Sequence, residues 1–214
     1  MSGRRSPSRS ATTALGAGTK EMILTAALAE FARYGLAGAR VDRIARRARV
    51  NKAMIYYHFA SKEALHQAVI KEHFSAVVEA LRQTAPSSAG LEGLLHSFSE
   101  VYASALSSRP EFLRIVLREL AEPKAKTADK IADLILNSGL IDEIREAFRQ
   151  GAEQGRLRPV DTRQAFVSFV LMNIGYFFLA PVVDRIWDIQ NREQFIAERK
   201  EAVIDLFLNG VVKQ

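Results

Sequence analysis

From Thr19 onward, apolar residues recur at intervals of three and four, and no stretch alternates strictly between apolar and polar. That period belongs to helices packed on one face, so the chain is expected to be all-α. The first helix runs from Thr19 or Lys20 to Tyr34, capped by Thr19 and ended by Gly35, with Met22, Ile23, Ala26, Ala27 and Phe31 as its buried stripe. Two short helices follow, Val41 to Arg49 and Lys52 to Phe59, then a long one that starts after Ser61 and runs to Thr84. Pro86-Ser87-Ser88-Ala89-Gly90 reads as a loop. The next helix, Leu91 to Ser107, gathers Leu91, Leu94, Leu95, Phe98, Tyr102 and Ala105 on one face. Pro110 opens a helix that ends at Ala121, before Pro123. Further helices run from Thr127 to a break at Asn137-Ser138-Gly139, and from Leu140 to Gln154. The turn 155–159 follows, then a long helix capped by Asp161, and a last one from Arg192 to Asn209.

One stretch departs from simple amphipathicity. Phe166 to Val183 carries no charge over eighteen residues, which touches the lower limit for a membrane span. Ser168, Asn173, Gly175 and Pro181 dilute it, and no second span exists. Phe166, Phe169, Val170, Asn173 and Phe177 share one face; Val167, Leu171, Ile174 and Phe178 share another. A soluble helix apolar on two faces needs cover on both, one from its own domain and one from a second copy of the chain. The expectation is a buried interface helix, with membrane anchoring through 166–183 as the alternative.

Composition narrows the chemistry. The 214 residues contain no cysteine, which excludes disulfides, thiolate metal sites and a cysteine nucleophile. The net charge of +6 is unevenly held: residues 1–60 carry +8 and the remainder −2. A concentrated basic segment suggests a polyanion partner. Residues 1–18, rich in Ser, Gly and Arg, read as a disordered basic arm, in which Arg4, Arg5 and Arg9 are candidates for extra DNA contacts. It lacks the apolar stretch of a signal peptide.

The segment from Val41 to Phe59 has the layout of a helix-turn-helix, two short helices joined around Val50-Asn51. Ile44, Ala45, Ala48, Val50, Ile55 and Phe59 are the inward positions, Asn51 is a good cap for the second helix, and Arg43, Arg46 and Arg47 face outward. The stretch Ile23–Ile70 also holds Phe31 and Gly35, Ile44-Ala45, Ile55-Tyr56-Tyr57-His58-Phe59, and Lys62-Glu63-Ala64-Leu65. In order and spacing it resembles the DNA-binding domain of the TetR family of transcriptional regulators. Three positions depart from the family pattern. Arg40 stands where a capping Thr or Ser is usual, Arg49 where Gly suits a positive φ, and Ala53 where Gly is common.

The resemblance implies that Lys52, Ala53, Met54 and Tyr56 read bases, while Arg40, Asn51, Tyr57, His58 and Lys62 hold the phosphate backbone. It implies a three-helix DNA-binding domain (19–65) after the arm (1–18), then a larger helical effector-binding and dimerisation domain (66–214). It further implies a homodimer paired through the last two helices on a pseudo-palindromic duplex operator, a cytoplasmic location, and release by a small hydrophobic effector. Candidate effector-lining residues are His96, Phe98, Tyr102, Phe112, Val116, Phe148, Phe169, Met172, Asn173 and Tyr176. Asn173 and His96 stand out because a polar group among apolar ones needs a partner. No catalytic constellation, cofactor motif or metal set stands out. His66 and His73 lie two turns apart, too far for a metal pair, and read as solvated. A helical carrier or enzyme with an incidental basic segment remains the other reading.

Overall fold

The computed structural model describes residues 9–84, 90–121 and 127–212, which form ten α-helices. These are α1 (Arg9–Gly38), α2 (Val41–Ala48), α3 (Lys52–Phe59), α4 (Lys62–Thr84), α5 (Gly90–Ser108), α6 (Pro110–Ala121), α7 (Thr127–Leu136), α8 (Leu140–Glu153), α9 (Thr162–Ile186) and α10 (Arg192–Val211). The helical period therefore located the elements closely, and the proline, glycine and Asp161 punctuation marks their ends. Most of the loop 86–90, Pro123, and the arginines at 4 and 5 lie outside the described residues.

The largest difference is at the start. The α1 backbone is helical from Arg9, so Thr19 lies inside the helix rather than at its cap. Alanines at 11, 14 and 17 with Leu15 favour helix strongly enough to offset Gly16 and Gly18. At the other end Gly35 breaks the helical path with φ 65° and ψ 177°, after which one further turn reaches Gly38. A side chain at Gly35 would also meet Arg118 of α6, 2.6 Å from its guanidinium.

The chain divides into two units. The first takes residues up to His73 together with 111–128; the second takes 74–110 and residues from 129 onward. The division thus falls inside α4 rather than at Leu65, and α6 belongs to the first unit. Ile23, Phe31, Ile44, Ile55, Leu65, Ile70 and Ile115 are its fully buried large side chains. His66 and His73 are buried too, not solvated: α6 covers both. His66 Nε2 lies 3.4 Å from a Glu119 carboxylate oxygen and its ring meets Phe31 edge-on. His73 stacks on Phe112 with centroids 4.9 Å apart and bonds the Val69 carbonyl through Nδ1 at 2.8 Å. Met22, by contrast, is half-exposed rather than in the buried stripe.

The interior of the second unit joins Leu95 and Phe98 of α5, Ile144 and Phe148 of α8, Phe169 of α9 and Phe207 of α10. Asp161 caps α9 by accepting from the backbone N–H of Arg163 (2.8 Å) and of Gln164 (3.4 Å). Phe169, Asn173, Tyr176 and Ala180 of α9 face inward, while Val167, Leu171, Leu179, Val182 and Ile186 are exposed. α9 is long and apolar enough to cross a membrane. Its inward face is nonetheless packed on α5 and α10 like that of any core helix, with the Asn173 amide tied to the Phe169 carbonyl at 2.9 Å.

Candidate nucleic-acid interface

The interface is built on α2, the turn 49–51 and α3. Buried Ile44, Ala45 and Ala48 of α2 meet Ile55 and Phe59 of α3, and the small Ala45 lets the helices approach closely. Arg49 ends α2 in the left-handed region, φ 56° and ψ 37°, where glycine fits without strain. Its side chain is exposed, so the turn gains a cation at the cost of that strain. Asn51 caps α3 as expected, its Oδ1 accepting from the Met54 N–H at 2.8 Å.

Arg40 occupies the position before α2 and makes no side-chain cap. The structure supplies a substitute that the sequence reading missed. Glu30, 5% exposed, accepts the Arg40 backbone N–H at 3.0 Å and the Arg43 Nε at 2.6 Å through one oxygen. Arg43 also donates to the Gly38 carbonyl at 3.0 Å and lies 4.1 Å over the Tyr34 ring. It is therefore a structural residue locking α2 onto α1, not one of the outward cations. The signal was present: Glu30 follows Ala26 and Ala27 at the spacing that puts it on the buried face.

What remains outside is cationic and aromatic. Arg46, Arg47 and Arg49 are exposed, as are Lys52 and Ala53. Tyr57 is 81% exposed and Tyr56 43%, so neither is a core aromatic. Lys52 pairs with Asp42 at 3.0 Å, and the bonded carboxylate pushes its ammonium pKa up. Both partners are well exposed, so exchanging that pair for a phosphate costs little. Lys62 reaches the carbonyls of Ala37 and Ala39 at 3.4 Å, which anchors the loop before α2. Met54 and His58 are half-buried, with the His58 Nε2 enclosed and unpartnered. A basic ridge with exposed tyrosines on a short capped helix suits phosphate contact on its flanks and base contact at the α3 N-terminus.

The family model for bacterial regulatory proteins of the tetR family matches residues 23–69, which contain this whole arrangement. The model for the tetracyclin repressor-like C-terminal domain matches residues 92–206, more than half the chain. The chain belongs to the TetR family. Among its relatives, the regulator RutR of Escherichia coli K12 is 26% identical over 196 residues, covering 90% of each protein. The transcriptional repressor SCO4008 of Streptomyces coelicolor is 36% identical over 101 residues, 47% of this chain and 49% of that one. The structure of FadR from Bacillus subtilis in complex with stearoyl-CoA superposes with a TM-score of 0.68 at 20% identity, over 89% of this chain and 98% of that one. FadR from Bacillus halodurans gives 0.67 at 22%, over 89% and 98%. At those identities the superpositions establish the TetR fold alone. The protein is a helix-turn-helix transcriptional regulator with a TetR-type helical C-terminal domain.

The candidate effector residues are not brought together as one set. Phe98, Phe148 and Phe169 sit in the second unit's interior, with Tyr102 and Met172 packed against it. Burial pushes the Tyr102 phenol pKa up to about 12. Phe112 and Val116 belong to the first unit instead, Phe112 lying against His73. His96 is exposed on α5, because it falls off the Leu91-Leu95-Phe98 stripe. Asn173 and Tyr176 line a separate small cleft with Ser99, Arg199 and Lys200, none of which the sequence reading had singled out.

Proposed function

We propose that the protein is a ligand-responsive repressor that binds a pseudo-palindromic DNA operator as a homodimer and leaves it when a small organic effector occupies the second unit. The observation that carries the DNA-binding part is the exposure of Tyr57, 81%, beside exposed Arg46, Arg47, Arg49 and Lys52 on a helix-turn-helix whose interior is complete without them. Arg40, Asn51, Lys52, Ala53, Met54, Tyr56, Tyr57, His58 and Lys62 form the DNA-facing set. The naming of SCO4008 as a repressor and the stearoyl-CoA found with the B. subtilis FadR support a ligand-controlled repressor over the other assignments.

Pairing is ascribed to the outer faces of α9 and α10. Val167, Leu171, Leu179, Val182, Ile186, Trp187 and Leu206 are all exposed there, far more apolar side chains than a free helix face carries. Two recognition helices held by that contact would meet half-sites about one helical turn apart. Because α4 begins beside the recognition helix and ends in the second unit, it is the covalent route by which effector binding changes the recognition helices. In this reading the protein works in the cytoplasm, has no membrane anchor and catalyses no reaction.

The test is fluorescence anisotropy with the purified full chain and a duplex covering the intergenic palindrome beside its own gene. Tyr57→Ala combined with Lys62→Ala should lower affinity about tenfold or more, since each removes a phosphate contact. Unchanged affinity in a folded variant overturns the interface. Leu171→Arg with Leu206→Arg should yield a monomer by light scattering; a persistent dimer overturns the pairing surface.

A further inference from the structure

The helix-turn-helix carries a single acid. From Arg40 to Lys62 the chain holds seven lysines and arginines, and Asp42 is the sole aspartate or glutamate among them. Two of the seven are committed to the fold: Arg43 is neutralised by Glu30, and Lys62 is turned onto two carbonyls. Arg40, Arg46, Arg47 and Arg49 are exposed, and none of them joins an ion pair among the described residues. Lys52 is the exposed cation that does, with its Nζ 3.0 Å from Asp42 Oδ1.

Asp42 forms no hydrogen bond within its own helix. Asp161 accepts from the N–H groups of Arg163 and Gln164 at the start of α9, and Asn51 from that of Met54 at the start of α3. Asp42, in the first turn of α2, bonds instead to the first residue of α3. That end of α3 meets base edges when a helix-turn-helix docks, while α2 crosses the phosphate backbone. A carboxylate there repels each phosphate it approaches and so subtracts from sequence-independent binding. Breaking the exposed pair is cheap, but the carboxylate stays behind. A phosphate reached by Lys52 would meet a cation and an anion together, with no net charge to gain.

Base edges are different. One ammonium N–H is spent on Asp42, which leaves two for acceptors, and Asp42 Oδ2 is left to accept. Guanine presents O6 and N7 as acceptors in the major groove, and its partner cytosine presents an N4 amino group beside them. We propose that Asp42 is a specificity-determining residue: with Lys52 it forms a donor–acceptor pair of zero net charge that reads a G·C base pair and takes no part in the grip on phosphates. The free arginines supply that grip. The assignment deepens the DNA-binding reading above and rests on it.

Fluorescence anisotropy with the full chain tests it on three kinds of duplex. These are the intergenic palindrome, the same palindrome with each G·C pair of both half-sites exchanged in turn for A·T, and a scrambled duplex of equal composition. Wild type should lose about fivefold or more at one exchanged position, the usual cost of a mismatched base pair. Asp42→Asn, similar in shape but uncharged, should lose that discrimination and bind the scrambled duplex several-fold more tightly. On the scrambled duplex its log affinity should fall more steeply with log salt, by about 0.9, as Lys52 becomes free to neutralise a phosphate. Lys52→Gln should leave the salt slope of wild type unchanged and should cancel the increase in Asp42→Asn. Thermal unfolding confirms that each variant is folded. A lower melting temperature in Asp42→Asn, with discrimination and salt slope both kept, would reduce Asp42 to a helix-stabilising acid and overturn the assignment. A wild-type slope that drops with Lys52→Gln alone would overturn it as well. Wild type binding none of the duplexes overturns the interface reading itself, whereas tight binding with unchanged discrimination in Asp42→Asn overturns this assignment alone.

Discussion

The first unit draws most of its interior from neighbours in sequence, with α6 adding Phe112 and Ile115. Phe31, Ile44, Ile55 and Leu65 come from α1 to α4 in succession, and the cations and Tyr57 around them stay outside. The second unit assembles Phe98, Ile144, Phe169 and Phe207 from four helices spread over α5 to α10. It leaves Leu171, Ile186, Trp187 and Leu206 outside and encloses Ser99, Asn173 and the Arg199 Nε. Where successive helices make the interior, functional polar groups are surface groups and short spacings place them. Where distant helices make it, the polar groups of interest lie inside, and only tertiary packing brings them together.

The strongest way to break that contrast is to remove a side chain on which the distant helices converge. Phe169 is fully buried and its ring lies 5.1 Å from that of Phe207. Phe169→Ala should cost about 3–5 kcal/mol in denaturant unfolding, the usual penalty for emptying an aromatic core position. A loss below about 1 kcal/mol would mean that α9 is not part of a shared interior. In the first unit the matching lesion is polar. Glu30→Ala strands the Arg40 N–H and the Arg43 guanidinium, whose side chain is 29% exposed, so the loss is about 1–3 kcal/mol. It should also weaken operator binding, because α2 loses its lock onto α1. Thermal unfolding and anisotropy read the two effects, and full retention of both would sink this role for Glu30.

The legibility of the chain follows the same divide. Periodicity, proline and glycine gave the helix ends after α1 because those signals act within one turn. Asn51 and Arg49 behave as local rules require, one capping α3 and the other taking a positive φ at the turn. The residues that escaped are those whose role is set by a partner helix. His66 and His73 are surface-like by composition and buried only because α6 covers them. Arg199 sits between Ile196 and Val203 at core spacing, and Ser99 four residues after Leu95, so their faces were readable. The enclosure of their donors was not, since that depends on which atoms the other helices bring.

A smaller effect sharpens the comparison at the surface of the first unit. Arg49→Gly should stabilise the protein by about 1 kcal/mol, because glycine holds φ 56° without the steric cost that arginine bears. In the proposed interface it also removes one phosphate-facing charge. The slope of log affinity against log salt should then fall by about 0.9. More stability with an unchanged slope would place Arg49 away from the phosphates; no gain in stability would mean the turn relaxes around arginine.

The smallest effect concerns the second unit and acid. Asp161 caps α9 and pairs with Arg163 at 2.8 Å, and this bonding holds its carboxyl at about 2, below the ordinary value of 3.8. A carboxyl with a depressed pKa in the folded state stabilises it above the unfolded value, and that contribution disappears as pH falls through the folded one. Asp161→Asn keeps a capping oxygen but cannot titrate. The melting temperature of wild type should therefore exceed that of Asp161→Asn near neutral pH, and the gap should close between about pH 4 and pH 2. The gap will be modest because Arg163 is 88% exposed and water screens the pair. An offset that stays constant down to the acid limit would show that the carboxylate charge adds nothing to the cap.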